Sequence, residues 1–381
     1  MQIYSFDTIP WPYLKGKTSY PHDASEFDAK KAHALWEEHF RFWERVEAAG
    51  LDGIGLNEHH GTHFGSMPTP GAFAGHIAAR TKRAKIAILG YCLPLYPQPL
   101  RVAEEIAALD VLSGGRIVAG FLRGAHREYL AYNVDPAESR GRFQEAWAFI
   151  VKAWREREPF DWKGEYFHYP RCQLWTRPWQ KPHPPILFPA DSEGSLDWGA
   201  RMKTPVVLSH RPFQDLLAKA AYYRERCHAY GWEAGAEHVW LEHQVYVADS
   251  RSQAIDEAGP ALTYYWQNLY GAQPEILAEL TRRFPSSYAE PASLKPLTSN
   301  AQPKPLGLIG EEARTPTQLM LDGMAAVGTS NDVRDELMAQ KELMGFGGMV
   351  IYFHFGSLSV AKAISNMEKF AREVMPVLKD A

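Results

Sequence analysis

Between Gly53 and His63 the chain reads Gly-Ile-Gly-Leu-Asn-Glu-His-His-Gly-Thr-His. A short apolar run ends at Leu56 and gives way at once to Asn57, Glu58, His59 and His60. A buried parallel strand that hands over to a functional loop at its C-terminal end reads this way, and imidazoles beside a carboxylate can exchange protons near neutral pH. A single histidine is usually a satisfied polar residue, but three within five residues after a glutamate mark a candidate site. The spacing argues against a metal: His59 and His60 point to opposite sides if the strand continues, and no nearby Cys or His pair completes a familiar ligand set.

A second set of residues suits an anion. Arg123 follows the apolar run that ends at Leu122, and Arg140 stands at the start of the next long helix; two guanidinium forks match the oxygens of a phosphate. The stretch Ala190, Asp191, Ser192 to Ser195 opens a helix whose backbone N–H groups favour negative charge. Either arginine alone would read as a surface ion pair.

These residues need strands that end on one face. The apolar runs predict eight: Gln2 to Phe6, Asp52 to Leu56, Lys85 to Leu93, Arg116 to Leu122, Ile186 to Ala190, Val206 to Ser209, Val239 to Ala248 and Met349 to Phe355. Helical spacing between them, as at Phe143, Trp147, Ile150 and Trp154, gives the alternation of an α/β protein, a (β/α)8 TIM-like barrel in one domain over 1-381. Gly90 marks a close approach of backbone or ligand inside the third strand, and Asp161 to Tyr169 resembles a hairpin. The proline-rich segment 259-315, after strand seven, breaks the rhythm and is expected to be an insertion or lid.

Composition narrows the function. The 381 residues include 45% hydrophobic and 13% aromatic side chains, enough for a large core. The formal net charge of −4, with scattered positive residues, leaves no basic face for nucleic acid. Three separated cysteines fit a reducing compartment, and neither a signal peptide nor a membrane span is legible, so a soluble cytoplasmic protein is expected.

Taken in order, Asn57-Glu58-His59-His60, Leu93-Pro94, Pro99-Leu100-Arg101, Ala103-Glu104-Glu105, Asp110, Ser113-Gly114-Gly115-Arg116, Gly120, Arg123-Gly124 and Ser139-Arg140 resemble the bacterial luciferase-like, flavin-dependent monooxygenases. The resemblance spans Gln2 to Pro212 and resumes from about Val327 to Leu378. It implies the oxygenase component of a two-component system. Reduced FMN would come from a separate flavin reductase, form a C4a-hydroperoxide with O2, and insert one oxygen atom into a small organic substrate. It implies that His59 supports the flavin oxygen chemistry, with Glu58 and His60 beside it. It further implies that Arg123, Arg140, Ala190, Asp191, Ser192 and Ser195 form the phosphate pocket, that Leu122 stands beside the ring, and that Leu89-Gly90 is a cis peptide beneath it. A homodimer is expected through the helices after strands two and three, where Gly71, Ala72, Ala74, Gly75, Ala78 and Ala79 permit close packing and the family commonly pairs. Leu122 replaces a cysteine of luciferase itself, which argues against light emission from an aldehyde. The rival readings are a deazaflavin-dependent dehydrogenase or reductase, a flavin-binding protein without turnover, and a metal-dependent hydrolase built on His59, His60 and His63.

Overall fold

The computed structural model describes residues 1–14, 20–269, 273–288 and 315–380. Its strands are β1 (Gln2–Phe6), β2 (Gly53–Leu56), β3 (Lys85–Ile88), β4 (Tyr91–Cys92), β5 (Ile117–Val118), β6 (Phe121–Leu122), β7 (Phe160–Lys163), β8 (His168–Cys172), β9 (Phe188–Pro189), β10 (Val206–Leu208), β11 (Val239–Val247), β12 (Ala325–Gly328) and β13 (Gly348–Tyr352). Eight run in the parallel order β5-β3-β2-β1-β13-β11-β10-β9, and a parallel bridge between Ala119 and Ile186 joins the two ends. The curled sheet with helices between its strands is a TIM-like barrel, as the alternation predicts.

The strand residues are apolar on both faces because helices cover the outside and side chains fill the inside. Ile54, Ile86, Ile88, Val206, Met349 and Ile351 are all buried. The helix Ala29–Ala48 starts where the Asp28 carboxylate accepts from the N–H groups of Lys30 and Lys31. It ends before Gly50, whose φ of 83° suits glycine. In the helix Ser139–Arg155 the stripe Phe143, Trp147, Ile150 and Trp154 is core.

The structure departs from the sequence reading in three places that bear on the site. The expected third and fourth strands each break in two, and β4 pairs with β6 through Tyr91 with Phe121 and Cys92 with Leu122. The Leu89-Gly90 peptide at the first break is cis. A Cβ on Gly90 would lie 2.4 Å from the Gly120 carbonyl carbon, so the close approach expected at Gly90 is made by backbone. Second, β12 was not anticipated; it pairs with the C-terminal half of β11, which is nine residues long and outruns its other neighbours.

Third, Gly259 is not a boundary. One helix runs Arg251–Leu269 and buries Tyr265 and Trp266 in the core, and a second, Gln273–Arg283, packs Ile276 and Leu280 against Tyr129 and Leu130. Residues 289–314, the centre of the expected lid, lie outside the described residues. Part of the small-residue stripe is used within the chain: Gly71, Ala74 and Ala78 are buried, and a Cβ on Gly71 would strike Glu105. Ala72 and Ala79 remain exposed.

Candidate active site

The run after β2 separates the functions of its titratable residues. Glu58 is buried; its Oε1 takes a hydrogen bond from His60 at 2.7 Å and its Oε2 one from the Cys92 N–H at 3.0 Å. The Tyr96 hydroxyl donates to both oxygens at 3.1 Å, and the other His60 nitrogen meets the Tyr132 hydroxyl at 3.0 Å. Both His60 nitrogens are therefore engaged, and the Glu58–His60 pair ties the loop to the strand beside it.

His59 faces elsewhere. Its Nδ1 lies 3.2 Å from Glu128 Oε1, and its side chain is 25% exposed while that of Glu128 is 1% exposed. Burial pushes the Glu128 carboxyl up. The His59 hydrogen bond and charge, the Arg127 guanidinium and the Ala125 N–H outweigh burial and hold it below its ordinary value. An ionised carboxylate only accepts, so His59 Nδ1 carries the proton of this contact, and Nε2 takes no part in it. Gly65 keeps room for that ring: a Cβ there would lie 2.9 Å from His59 Cδ2.

His59 also lines a cavity of about 300 Å³ with Leu122, Arg123, Arg140, Asp191, Ser192 and Ser195. The sequence-selected residues on four separate segments thus meet around one space. Neither guanidinium has a hydrogen-bond or ion-pair partner among the described residues. Burial lowers the half-buried Arg123 to about 10; Tyr129 opposes the shift and Arg140 adds to it. Arg140 packs on the first turn of the helix Glu193–Arg201, where a Cβ on Gly194 would lie 2.5 Å from its Nη1.

Ser192 and Ser195 cap that helix, each side chain meeting the other's backbone N–H, at 3.2 and 3.0 Å. Two guanidinium groups beside the positive end of a helix are mutually repulsive unless an anion sits between them. The Asp191 carboxylate does not supply that charge, because Arg211 binds it at 2.8 Å and Lys219 stands 3.6 Å away. Leu89, Gly90 and Ala190 are buried and are not among the lining residues.

Sequence reasoning missed Glu128, since the short helix His126–Tyr132 was not anticipated. It also missed a partly buried polar chain within the barrel: Glu242 Oε1 lies 3.1 Å from His210 Nδ1, and His210 Nε2 lies 2.9 Å from the Tyr265 hydroxyl. Burial raises Glu242 to about 8 and lowers His210 to about 4; His59 and Arg211 add to the His210 shift and Asp191 opposes it. The usable signal was Glu242-His243-Gln244 in an otherwise apolar strand. Among the described residues, the group with metal-ligand spacing is Asp7, His39 and His354, all buried, and it includes none of His59, His60 and His63.

A profile of the luciferase-like monooxygenases matches residues 20–346. The chain belongs to the luciferase-like monooxygenase family. It is thus an oxidoreductase, in agreement with the family named from its motifs. Among relatives of this luciferase-like chain, the oxygenase component of a flavin-dependent trigonelline monooxygenase from Acinetobacter baylyi is 23% identical over 93% of each chain. The solved monooxygenase RslO1 of Streptomyces bottropensis superposes with a TM-score of 0.77 and 22% identity, covering 99% of this chain and 100% of that one. The oxygenating constituent of 3,6-diketocamphane monooxygenase from Pseudomonas putida, solved with FMN, gives 0.73 and 19% identity over 99% and 98%. Both structures share the fold. No helix among the described residues is long and apolar enough to cross a membrane.

Proposed function

We propose that this luciferase-like protein is the oxygenase component of a two-component monooxygenase, taking reduced FMN from a separate flavin reductase and O2 from solution. The carrying observation is the pair Arg123 and Arg140, unpartnered among the described residues, at a helix N-terminus in the cavity that also contains His59. That donor set fits a phosphate monoester. When bound there, reduced FMN would supply the electrons that activate O2, so that one oxygen atom enters the organic substrate and the other leaves as water.

The protein's own part is to bind, orient and exclude water. Arg123, Arg140 and the first N–H groups of the Glu193–Arg201 helix hold the phosphate. The apolar walls at Leu122, Phe143 and Phe188 keep water from the ring. His59, with its proton fixed on Nδ1 by Glu128, offers Nε2 to the reacting oxygens. The Glu58–His60 pair positions the loop that carries His59. We place a homodimer contact on the exposed face of the helix Pro70–Arg80 at Ala72 and Ala79; a monomeric mass by light scattering at micromolar concentration would remove that contact.

Anaerobic titration with reduced FMN and reduced riboflavin tests the reading. Each charge-assisted contact contributes about 1.5–3 kcal/mol, so Arg123→Ala weakens FMN roughly tenfold to a hundredfold and leaves riboflavin almost unchanged. Equal losses for both flavins would mean that Arg123 holds the fold and not a phosphate.

A further inference from the structure

His59 lines a second cavity, of about 340 Å³, whose other walls include Trp11, His22, Phe27, Trp36 and His63. Among the described residues it is the one common to the linings of this cavity and of the arginine cavity. We propose that the second cavity is the organic-substrate chamber, and that it takes a flat ring compound bearing a neutral oxygen acceptor such as a carbonyl. The inference rests on the monooxygenase reading of the arginine cavity. It adds where the substrate lies and of what class it is.

Three observations carry it. The first is the shared wall: an imidazole that serves oxygen chemistry has to meet cofactor and substrate together, and His59 borders both spaces. The volume also lies in the range of small-molecule sites, and suits a compound of one or two rings.

The second is the shape and apolarity of the walls. Trp11 and Phe27 stand 5.6 Å apart at 30°, and Trp36 is held by a 3.2 Å hydrogen bond from its Nε1 to Ser66 Oγ. Phe27 leaves 58% of its surface uncovered, an unusual exposure for a phenylalanine at the side of a cavity. Rigid aromatic planes favour a flat ring over a flexible chain, because they gain stacking area and the ligand loses less conformational freedom.

The third is polar. Trp11 Nε1, His22 Nδ1 and His63 Nδ1 are buried and have no hydrogen-bond partner among the described residues. An indole N–H can only donate, so its missing partner is an acceptor. Burial, reinforced by His22 and Arg127, lowers His63 against the pull of Glu26, which disfavours the charged ring. Among the described residues the lining contains no arginine or lysine, and its one carboxylate is Asp23. A neutral oxygen therefore suits this chamber better than an anionic one.

The test is binding to the flavin-free protein by calorimetry, without O2 or reductase, so that its outcome is independent of the FMN assignment. The probes are 2-acetylnaphthalene, naphthalene, 2-naphthoate and decanal. We expect 2-acetylnaphthalene to bind at least tenfold more tightly than each of the other three. Trp11→Phe, which keeps a ring and removes the N–H, should weaken 2-acetylnaphthalene several-fold and leave naphthalene unchanged. If Trp11→Phe does not fold, Phe27→Leu at the exposed edge should weaken both naphthalene compounds. Decanal binding as tightly as 2-acetylnaphthalene would overturn the ring preference. Equal loss of both naphthalenes in Trp11→Phe would overturn recognition of the carbonyl by its N–H, and no loss in Phe27→Leu would overturn the chamber's assignment.

Discussion

His59 Nδ1 lies 3.2 Å from Oε1 of Glu128, a carboxylate buried at the start of a helix that the sequence pattern did not reveal. The contact fixes which imidazole nitrogen carries the proton. It also couples the loop after β2 to the helix His126–Tyr132, against which the helix Gln273–Arg283 packs.

Glu128→Gln removes the fixed acceptor and lets the ring invert its tautomer, so turnover should fall by about 10²-fold, the lower range for a misplaced acid or base. The Glu128 carboxyl is held below its ordinary value, so the folded state binds fewer protons than the unfolded state as pH falls through that range. Its contribution to stability is complete above the unfolded value and fades as pH falls through the folded one. Thermal midpoints of wild type and Glu128→Gln should therefore converge at acid pH; a constant gap would contradict an ionised Glu128.

His59→Ala should fold and bind reduced FMN, yet lose a factor of about 10²–10⁴ in substrate oxygenation. Hydrogen peroxide should appear in place of product. Gly65→Ala should do part of the same, because its Cβ would press on His59 Cδ2. Product and peroxide measured together check both variants, and full coupling in His59→Ala would falsify its assigned role.

Gly194→Ala addresses the anion site without removing a charge. The new methyl would meet Arg140 Nη1 at 2.5 Å and turn the guanidinium away from the helix end. Reduced FMN should bind roughly tenfold more weakly, the loss of about one charge-assisted hydrogen bond, and riboflavin should bind as before. Unchanged FMN affinity would exclude Arg140 from the phosphate site.

Glu58→Gln should lower stability more than activity. The carboxylate accepts from Cys92 N–H, Tyr96 and His60, and an amide would turn two of its own donors toward those partners. A buried mismatch of this kind costs about 1–3 kcal/mol. Urea unfolding reads it as a lower midpoint at unchanged slope.

Glu242 makes an opposite prediction. Burial raises it from 4.5 to about 8, so between those values the folded state holds a proton that the unfolded state has released. Its contribution to stability is complete below 4.5 and is lost as pH rises through about 8. Glu242→Gln should match wild type at pH 4 and exceed it at pH 8 by an amount on the order of a few kcal/mol. Parallel stability curves for the two proteins would place the buried proton elsewhere.

The sequence by itself determined the barrel, because runs such as Ile-Ala-Ile at 86–88 and Met-Val-Ile at 349–351 are apolar at every position, and only a doubly covered parallel strand tolerates that. It also determined which residues to watch at the strand ends. Glu58, His59, Arg123 and Arg140 are polar where the local pattern asks for apolar side chains or a simple helix start. What it left open was direction and partnership. Adjacent His59 and His60 diverge, one into two cavities and the other onto Glu58 and Tyr132, and nothing in their spacing says which goes where. Ser192 and Ser195 proved to cap a helix while lining the cavity, and Glu128 reaches the interior from a position with no distinctive neighbours. Hydrogen-bond partners far apart in sequence are chosen by the packing of whole elements, so the tertiary structure alone decided them.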